Sequence, residues 1–173
     1  MFGDSFLVFG AGAWGTALAI QLSRSKQKVV LTSFDKNNLL EIKQHQENKK
    51  YLPGFLLPKE IGVQPYDAPL VEQAGSIIVC VKSPYFLAAI SLLHETMGNK
   101  NLLWATKGFD PETGELFSVV VERTLGQKTP YAVISGPTFA EELAESICNR
   151  TSMSQLLFSA TGSMACENAR KEA

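Results

Sequence analysis

Short apolar runs recur along the chain at spacings typical of a parallel sheet. Each run is rich in branched or aromatic residues and is bounded by turn residues, which predicts buried strands. These runs cover residues 6–9, 29–31, 77–81, 102–105 and 131–134. Helical spacing of apolar positions predicts intervening helices over residues 16–22, 38–45, 85–95, 116–125 and 139–144. This alternation predicts an α/β fold with a doubly wound, mostly parallel sheet.

Two segments depart from the alternation. Residues 51–69 contain Pro53, Gly54, Pro58, Pro65 and Pro69, which predict an ordered loop crossing the sheet edge. This loop leaves room only for a short strand near residues 61–63. Residues 146–173 are rich in Ser, Thr, Asn and Met and show no strand or amphipathic period. We therefore expect one α/β domain over residues 1–145 and a poorly ordered tail over residues 146–173.

A glycine motif lies between the first predicted strand and the first predicted helix. Gly10, Gly12 and Gly15 have GxGxxG spacing. In this context the first glycine permits a tight turn, the second lets the backbone approach a pyrophosphate, and the third lets the helix pack closely. The amides at the start of the helix and its dipole favour an anion. The motif predicts a Rossmann-type domain that binds NAD(H) or NADP(H), with a structural Gly-rich turn as the alternative.

The end of the second predicted strand bears on the choice between the two cofactors. Asp35 lies at about the distance from the glycines where an acidic residue takes the ribose hydroxyls of NAD. It could equally cap the helix that follows. Lys36 and Ser33 are the nearby groups that could contact a 2′-phosphate instead. The choice between NAD and NADP therefore remains open.

Composition and charge exclude several other classes. Sixteen basic residues balance 17 acidic ones, so no global field attracts nucleic acid or an anionic membrane. The three widely spaced cysteines include no CxxC pair, which predicts reduced thiols and no metal site. The N-terminus lacks the features of a secretory signal, and no apolar run approaches the roughly 20 residues of a transmembrane helix. We expect a cytoplasmic protein without a transmembrane segment.

Four segments in order resemble NAD(P)-dependent glycerol-3-phosphate dehydrogenases of the bacterial type. They are GAGAWGTALA at residues 10–19, Asn48 followed by YLPG at residues 51–54, WATKGFDPETG at residues 104–114, and VISGPTFAEELA at residues 133–144. The resemblance covers about residues 5–145. It implies reduction of dihydroxyacetone phosphate to sn-glycerol 3-phosphate, a precursor of glycerophospholipids.

The resemblance also assigns roles by position. Trp14 would contact the cofactor within the glycine turn, and Lys107 would contact both the cofactor and the substrate phosphate. Gly136 and Thr138 would contact substrate, and Ala140 the cofactor. The location of Lys107 after a predicted strand, at the sheet edge where α/β folds bind ligands, agrees with this role.

The chain departs from the family pattern at two positions and in its length. Ala13 replaces a frequent serine without affecting a backbone amide contact, and Phe34 replaces a basic residue or histidine, which weakens the case for NADP. The family continues into a mostly helical second domain, which holds the lysine that acts as general acid/base. We expect that domain to be missing here, through a frame change or premature end, and the isolated chain to be nearly inactive. No catalytic residue is therefore assigned, and oligomeric state is left open.

Two other functions compete with this interpretation. A nucleotide-binding module without catalysis would bind NAD(P)H but would need no affinity for a triose phosphate. A different Rossmann-type dehydrogenase, acting on a hydroxyacyl or sugar acid substrate, would keep the glycine turn but would not explain residues 106–108 and 135–138.

Overall fold

The fold places six parallel strands in one sheet and a short antiparallel pair beside it. A computed structural model of the chain describes residues 5–135 and 140–145. In chain order the strands are β1 (Ser5–Phe9), β2 (Lys28–Thr32), β3 (Glu47–Asn48), β4 (Leu52–Leu56), β5 (Gly62–Val63), β6 (Ser76–Val79), β7 (Asn101–Trp104) and β8 (Tyr131–Val133). The main sheet has the order β5-β2-β1-β6-β7-β8, and all its neighbours pair in parallel.

Helices connect the strands and cover both faces of the sheet. They are α1 (Ala13–Arg24), α2 (Lys36–His45), α3 (Ala68–Gln73), α4 (Phe86–Met97), α5 (Phe117–Leu125) and α6 (Ala140–Glu145). A 3-10 turn, Ser83–Tyr85, leads into α4. Among the described residues, no helix is both long and apolar enough to cross a membrane.

Strand β1 shows why both faces must be covered. Its side chains alternate between two buried clusters: Phe6 and Val8 belong to one, Leu7 and Phe9 to the other. The first cluster includes residues of α1, α2 and α6, and the second includes residues of α3, α4 and α5. Each fully buried side chain of this size contributes about 1.5–3 kcal/mol. Strands buried on both faces explain the nearly continuous apolar runs in the sequence.

The order of the strands fixes where a ligand can bind. The chain runs outward from β1 to β2 and β5 on one side, and from β6 to β7 and β8 on the other. In open α/β sheets a crevice forms beyond the carboxyl ends of the strands where the order reverses. Here that point lies between β1 and β6, directly beside the glycine motif.

The predicted α/β sheet is confirmed, whereas the predicted loop over residues 51–69 was partly wrong. Strand β5 lies where a short strand was expected, but β4 also forms and pairs antiparallel with β3. Pro53 is compatible with β4 because proline is tolerated on edge strands.

Helix α3 begins at Ala68, inside the predicted loop, with Pro69 in its first turn. Proline is favourable there because the first helical amides need no partner within the helix. The predicted tail over residues 146–173 lies outside the described residues.

Candidate functional site

The turn after β1 is shaped by two glycines that lack room for any side chain. Gly10 has φ +125°, and a Cβ added to it would lie 2.4 Å from the Cys80 carbonyl oxygen. A Cβ on Gly15 would lie 1.9 Å from the carbonyl oxygen of Gly10. The Gly10 amide donates to the Thr32 carbonyl at 2.8 Å, so the turn is fastened to the end of β2. These contacts bring β1, the turn and α1 closer together than other residues allow.

Gly12 has a different environment, because it faces open space. A Cβ added there would meet nothing within 4 Å, and its backbone is extended, with φ −81° and ψ −175°. Gly12 is the N-cap of α1, no side chain caps the helix, and its first turn has no acidic residue. The first amides of a helix have no partner within the helix. This helix start therefore has both the space and the positive dipole end that an anion requires.

A buried polar network supports the turn from behind. The Asn48 side-chain amide donates to the Ala11 carbonyl at 3.0 Å and to the Thr16 hydroxyl at 2.7 Å. The Thr16 hydroxyl in turn donates to the Gly12 carbonyl at 2.7 Å. Asn38 adds a longer bond to the Ala11 carbonyl, at 3.3 Å. Asn48 and Thr16 are completely buried, so these bonds are shielded from water.

At the end of β2, Asp35 acts as a helix cap. Its carboxylate accepts from the Asn38 amide at 3.0 Å and pairs with Lys50 at 2.8 Å. The hydrogen bond from Lys50, more than any other contact, lowers the pKa of Asp35. Of the two roles considered for Asp35, capping is the one seen in the structure. Phe34 beside it is 48% exposed and makes an edge contact with Phe9, with ring centroids 5.0 Å apart.

Aromatic rings extend from Phe34 across the edge of the sheet. Its ring centroid lies 6.5 Å from that of Tyr85, which is also exposed. Tyr85 ends the 3-10 turn after β6, so this pair spans the carboxyl ends of β2 and β6. Two exposed rings at this position provide apolar surface on which a flat heterocycle could stack.

The loop after β7 places Lys107 beside the glycine turn. The Lys107 side chain is exposed, and its Nζ lies 5.3 Å from the centroid of the partly buried Trp14 ring. The backbone around it is held by two hydroxyls: Ser83 donates to the Lys107 carbonyl at 2.8 Å, and Thr106 donates to the Val81 carbonyl at 2.8 Å. A cation over an aromatic face is electrostatically favoured. The fold thus brings Lys107 and Trp14 together although they lie 93 positions apart in the sequence.

Cys80 lies under the glycine turn and is not a nucleophile in this state. Its amide donates to the Phe9 carbonyl at 2.7 Å, which continues the pairing of β6 with β1. Desolvation raises the pKa of its thiol to about 12. A thiol with such a pKa carries almost no thiolate at neutral pH. Its role is to pack against the turn.

Helix α6 is fastened to α1 by two side chains. Gln21 donates to the carbonyls of Leu143 and Ala144, and Arg24 donates to the Ala144 carbonyl at 2.6 Å. These bonds satisfy carbonyls at the end of α6 that lack partners within the helix. Ala140, the first residue of α6, is buried and belongs to the same core cluster as α1. The start of α6 is thereby held on the α1 side of the sheet.

A groove of about 870 Å³ opens at the opposite edge of the sheet, at the amino ends of β1 and β2. Its lining includes the cationic side chains of Arg24, Lys26 and Lys28. Open α/β sheets bind their ligands at the carboxyl ends of the strands, so we do not assign the functional site to this groove.

The sequence-predicted site residues fall into four groups. Gly10, Gly12, Ala13, Trp14 and Gly15 form the turn and the start of α1. Phe34 and Lys107 lie at the same carboxyl edge, and Ala140 begins α6. Gly136 and Thr138 lie outside the described residues.

Sequence reasoning did not identify the residues that support the site. It gave no role to Asn48, Lys50 or Ser83, although all three hold segments at the carboxyl edge. The signal that pointed to Asn48 was its place just before YLPG in a segment that resembles the family. Its partners could not be inferred, because hydrogen bonds between residues more than 30 positions apart have no sequence signature.

Comparison with known proteins gives a consistent result. Residues 5–156 match the family model described as the N-terminus of NAD-dependent glycerol-3-phosphate dehydrogenase. The chain is 38% identical over 144 residues to glycerol-3-phosphate dehydrogenase [NAD(P)+] of Hydrogenovibrio crunogenus, covering 81% of this chain and 42% of that protein. It is 36% identical over 148 residues to the Colwellia psychrerythraea protein of the same name, covering 85% and 44%.

Solved structures agree with the sequence relatives. The crystal structure of glycerol-3-phosphate dehydrogenase from Coxiella burnetii matches with a TM-score of 0.78 at 34% identity, covering 83% of this chain and 44% of that one. The yeast glycerol-3-phosphate dehydrogenase matches with a TM-score of 0.68 at 23% identity, covering 81% and 44%, which supports the fold alone. The chain therefore spans less than half the length of these proteins.

Proposed function

This chain belongs to the NAD-dependent glycerol-3-phosphate dehydrogenase family, and we propose that it binds the NAD(P)H with which such an enzyme reduces dihydroxyacetone phosphate. The observation that carries the proposal is the turn after β1. There, Gly10 and Gly15 are closely packed while Gly12 faces open space at an uncapped helix start. This combination leaves backbone amides accessible to a diphosphate.

The residues present fit a dinucleotide. Gly10, Gly12, Ala13, Trp14 and Gly15 would hold the diphosphate through the turn and the first turn of α1. No acidic side chain in that first turn would repel it. Phe34 would contact the adenosine half, since its exposed ring lies at the end of β2 where ribose and base extend. Ala140 would contact the cofactor from the start of α6.

Lys107 is proposed to contact both cofactor and substrate. It follows β7 at the carboxyl edge, next to Trp14 of the glycine turn. Its ammonium group suits the phosphate ester of dihydroxyacetone phosphate, because charge-assisted hydrogen bonds to phosphate are strong. Gly136 and Thr138 would complete the substrate contacts.

The reaction proposed for the whole enzyme is a reduction of a ketone to an alcohol. When bound, NAD(P)H supplies the hydride that adds to the carbonyl carbon. The carbonyl oxygen must also gain a proton, and Lys107 is already proposed to bind the substrate phosphate. We assign that step to the family's second domain, which this chain does not span. The product, sn-glycerol 3-phosphate, is a precursor of glycerophospholipids.

We also propose that the protein works in the cytoplasm on a small-molecule partner. The near balance of charge disfavours nucleic acid as a partner, and three widely spaced cysteines without a CxxC pair favour the cytoplasm. The partner is therefore a small molecule.

A fluorescence titration tests the cofactor proposal. The chain has two tryptophans, of which Trp14 lies in the turn and Trp104 is buried between Phe86 and Tyr131. Adding NADH or NADPH to the purified chain should quench Trp14 emission in a saturable manner with at least one of them. The matched control is Trp14→Phe, which keeps the core intact and should leave only the Trp104 signal. Absence of quenching and of calorimetric binding with both nucleotides would contradict the proposal.

A second titration separates the dehydrogenase from a non-catalytic binding module. With the nucleotide saturating, dihydroxyacetone phosphate should bind to the wild-type chain and bind more weakly to Lys107→Ala. No binding of the triose phosphate to a chain that binds NAD(P)H would favour the module instead.

A further inference from the structure

Two side chains outside the glycine motif orient the backbone that would hold the diphosphate. The peptide between Ala11 and Gly12 is central here. Its carbonyl accepts from Asn48 at 3.0 Å and from Asn38 at 3.3 Å. No peptide bond among the described residues is cis. In a trans peptide the carbonyl and the amide point in opposite directions. The Gly12 amide is therefore directed away from α2 and β3.

The next peptide is fixed by the same network. Thr16 binds the Gly12 carbonyl twice, through its amide at 3.0 Å and its hydroxyl at 2.7 Å. That hydroxyl has one proton, which it donates to Gly12, and it accepts from the Asn48 amide at 2.7 Å. The direction of each bond in the chain from Asn48 to Thr16 to Gly12 is thus determined.

Asn48 itself has no donor left for an alternative arrangement. Its two amide protons go to Ala11 and Thr16, and its oxygen accepts from the Tyr51 amide at 3.3 Å. It is 0% exposed, so water cannot substitute for a lost bond. A buried polar network of this kind specifies one geometry when all its members are satisfied.

We infer that Asn48 and Thr16 are positioning residues for the diphosphate, which fix the orientation of the peptides on either side of Gly12. The inference rests on the proposed function, because it concerns the same turn. Neither side chain contacts the ligand. Each acts by preventing the two peptides from rotating, so that their amides are directed toward the ligand before it arrives. Preorganised donors bind an anion without a cost for reordering.

Thr16 provides a matched pair of variants for the test. Thr16→Ser keeps the hydroxyl, whereas Thr16→Val has nearly the same shape without it. We expect Thr16→Val to weaken binding of NADH or NADPH, whichever the wild type binds, by at least about tenfold, because the hydrogen bonds that the Thr16 hydroxyl donates to Gly12 and accepts from Asn48 are both lost. Thr16→Ser should bind within about twofold of the wild type. Asn48→Leu should weaken binding at least as much as Thr16→Val.

A second readout separates positioning from a general loss of stability. Glycine amides labelled with 15N give one NMR signal for Gly12, which is assigned by its disappearance in Gly12→Ala. In the free protein this signal should shift in Thr16→Val but stay in place in Thr16→Ser. Thermal unfolding identifies any variant that fails to fold.

The outcomes are distinct. Weaker binding and a shifted Gly12 signal in Thr16→Val, with Thr16→Ser like the wild type, would support the inference. Folded Thr16→Val with wild-type affinity, or equal losses in Thr16→Ser, would overturn it and leave the proposed function intact. If the wild-type chain binds neither NADH nor NADPH, the proposed function is wrong and the inference falls with it.

Discussion

The two later glycines of the motif are expected to respond differently to the same substitution. In Gly15→Ala the new Cβ would lie 1.9 Å from the Gly10 carbonyl oxygen and 3.1 Å from the Cys80 Cβ. Real Cβ contacts essentially never fall below 3.0 Å, so α1 or the turn must move by about an ångström. The obstructing atom belongs to the backbone, and no change of rotamer can relieve the contact. Overpacking of this kind costs up to about 3 kcal/mol.

Gly12→Ala is the matched control. Its backbone conformation is open to any residue, and its Cβ would meet nothing within 4 Å. Loss of glycine at an N-cap costs about 0.5–1 kcal/mol, and the reduced freedom of the unfolded chain offsets about 0.4–1 kcal/mol of it. The net change in the free energy of unfolding should therefore be close to zero.

Thermal unfolding followed by circular dichroism measures the contrast. Since the obstructing atom is backbone, we expect Gly15→Ala to fall at the upper end of this cost, about 3 kcal/mol, which at about 2–4 °C per kcal/mol for a chain of this size should lower Tm by about 6–12 °C. Gly12→Ala should stay within about 2 °C of the wild type. Equal Tm values for the two variants, or a larger loss in Gly12→Ala, would refute the assigned roles of these glycines.

Three further predictions concern the surroundings of the turn. Asp35→Asn should lower stability by less than about 1 kcal/mol, because solvent screens the pair with its lysine. The pKa of Asp35 is lowered in the folded state, so the difference in the free energy of unfolding between the wild type and Asp35→Asn should be present at neutral pH. It should disappear as the pH falls below 3.8, which thermal unfolding at a series of pH values will show. In a Cys148→Ser, Cys166→Ser chain, Cys80 should react with iodoacetamide at pH 8 at least about tenfold more slowly than a thiol of pKa 9, because its raised pKa leaves little thiolate and the greater nucleophilicity of that thiolate offsets this only in part. Arg24→Ala should speed hydrogen exchange in α6 and leave exchange in the sheet unchanged, because it removes the shorter of the two hydrogen bonds to the Ala144 carbonyl at the end of that helix.

The main sheet was predictable because its signals are local. A strand such as β1 is buried on both faces, so its residues 6–9 are continuously apolar, and the run is followed at once by glycines. Helix α1 was predicted over residues 16–22 and extends over Ala13–Arg24, since its first turn consists of motif residues that do not show apolar periodicity. Strand β4 was missed because Pro53 and Gly54 are turn residues in most contexts, and only pairing with β3 makes them part of a strand.

The parts of the candidate site that are formed by a single segment of sequence could be predicted. The glycine motif identified the turn, and the end of β7 identified the location of Lys107. The cap that Asp35 provides for α2 could be identified only in the structure, because a cap and a ribose contact use the same residue type at the same place, and the ribose contact stays a prediction. The support from Asn48 also required it, since its partner Thr16 lies 32 positions away.

Calorimetric titration of NADH and NADPH into the wild-type chain and Gly12→Val tests the central claim most directly. A valine at this position has an allowed backbone conformation and open space in the protein, but it would fill the space through which a diphosphate approaches the amides. We predict that the wild type binds at least one nucleotide and that Gly12→Val, still folded by its Tm, binds it at least about tenfold more weakly, since charged hydrogen bonds are lost. Undiminished affinity in folded Gly12→Val would place the nucleotide elsewhere and contradict the account.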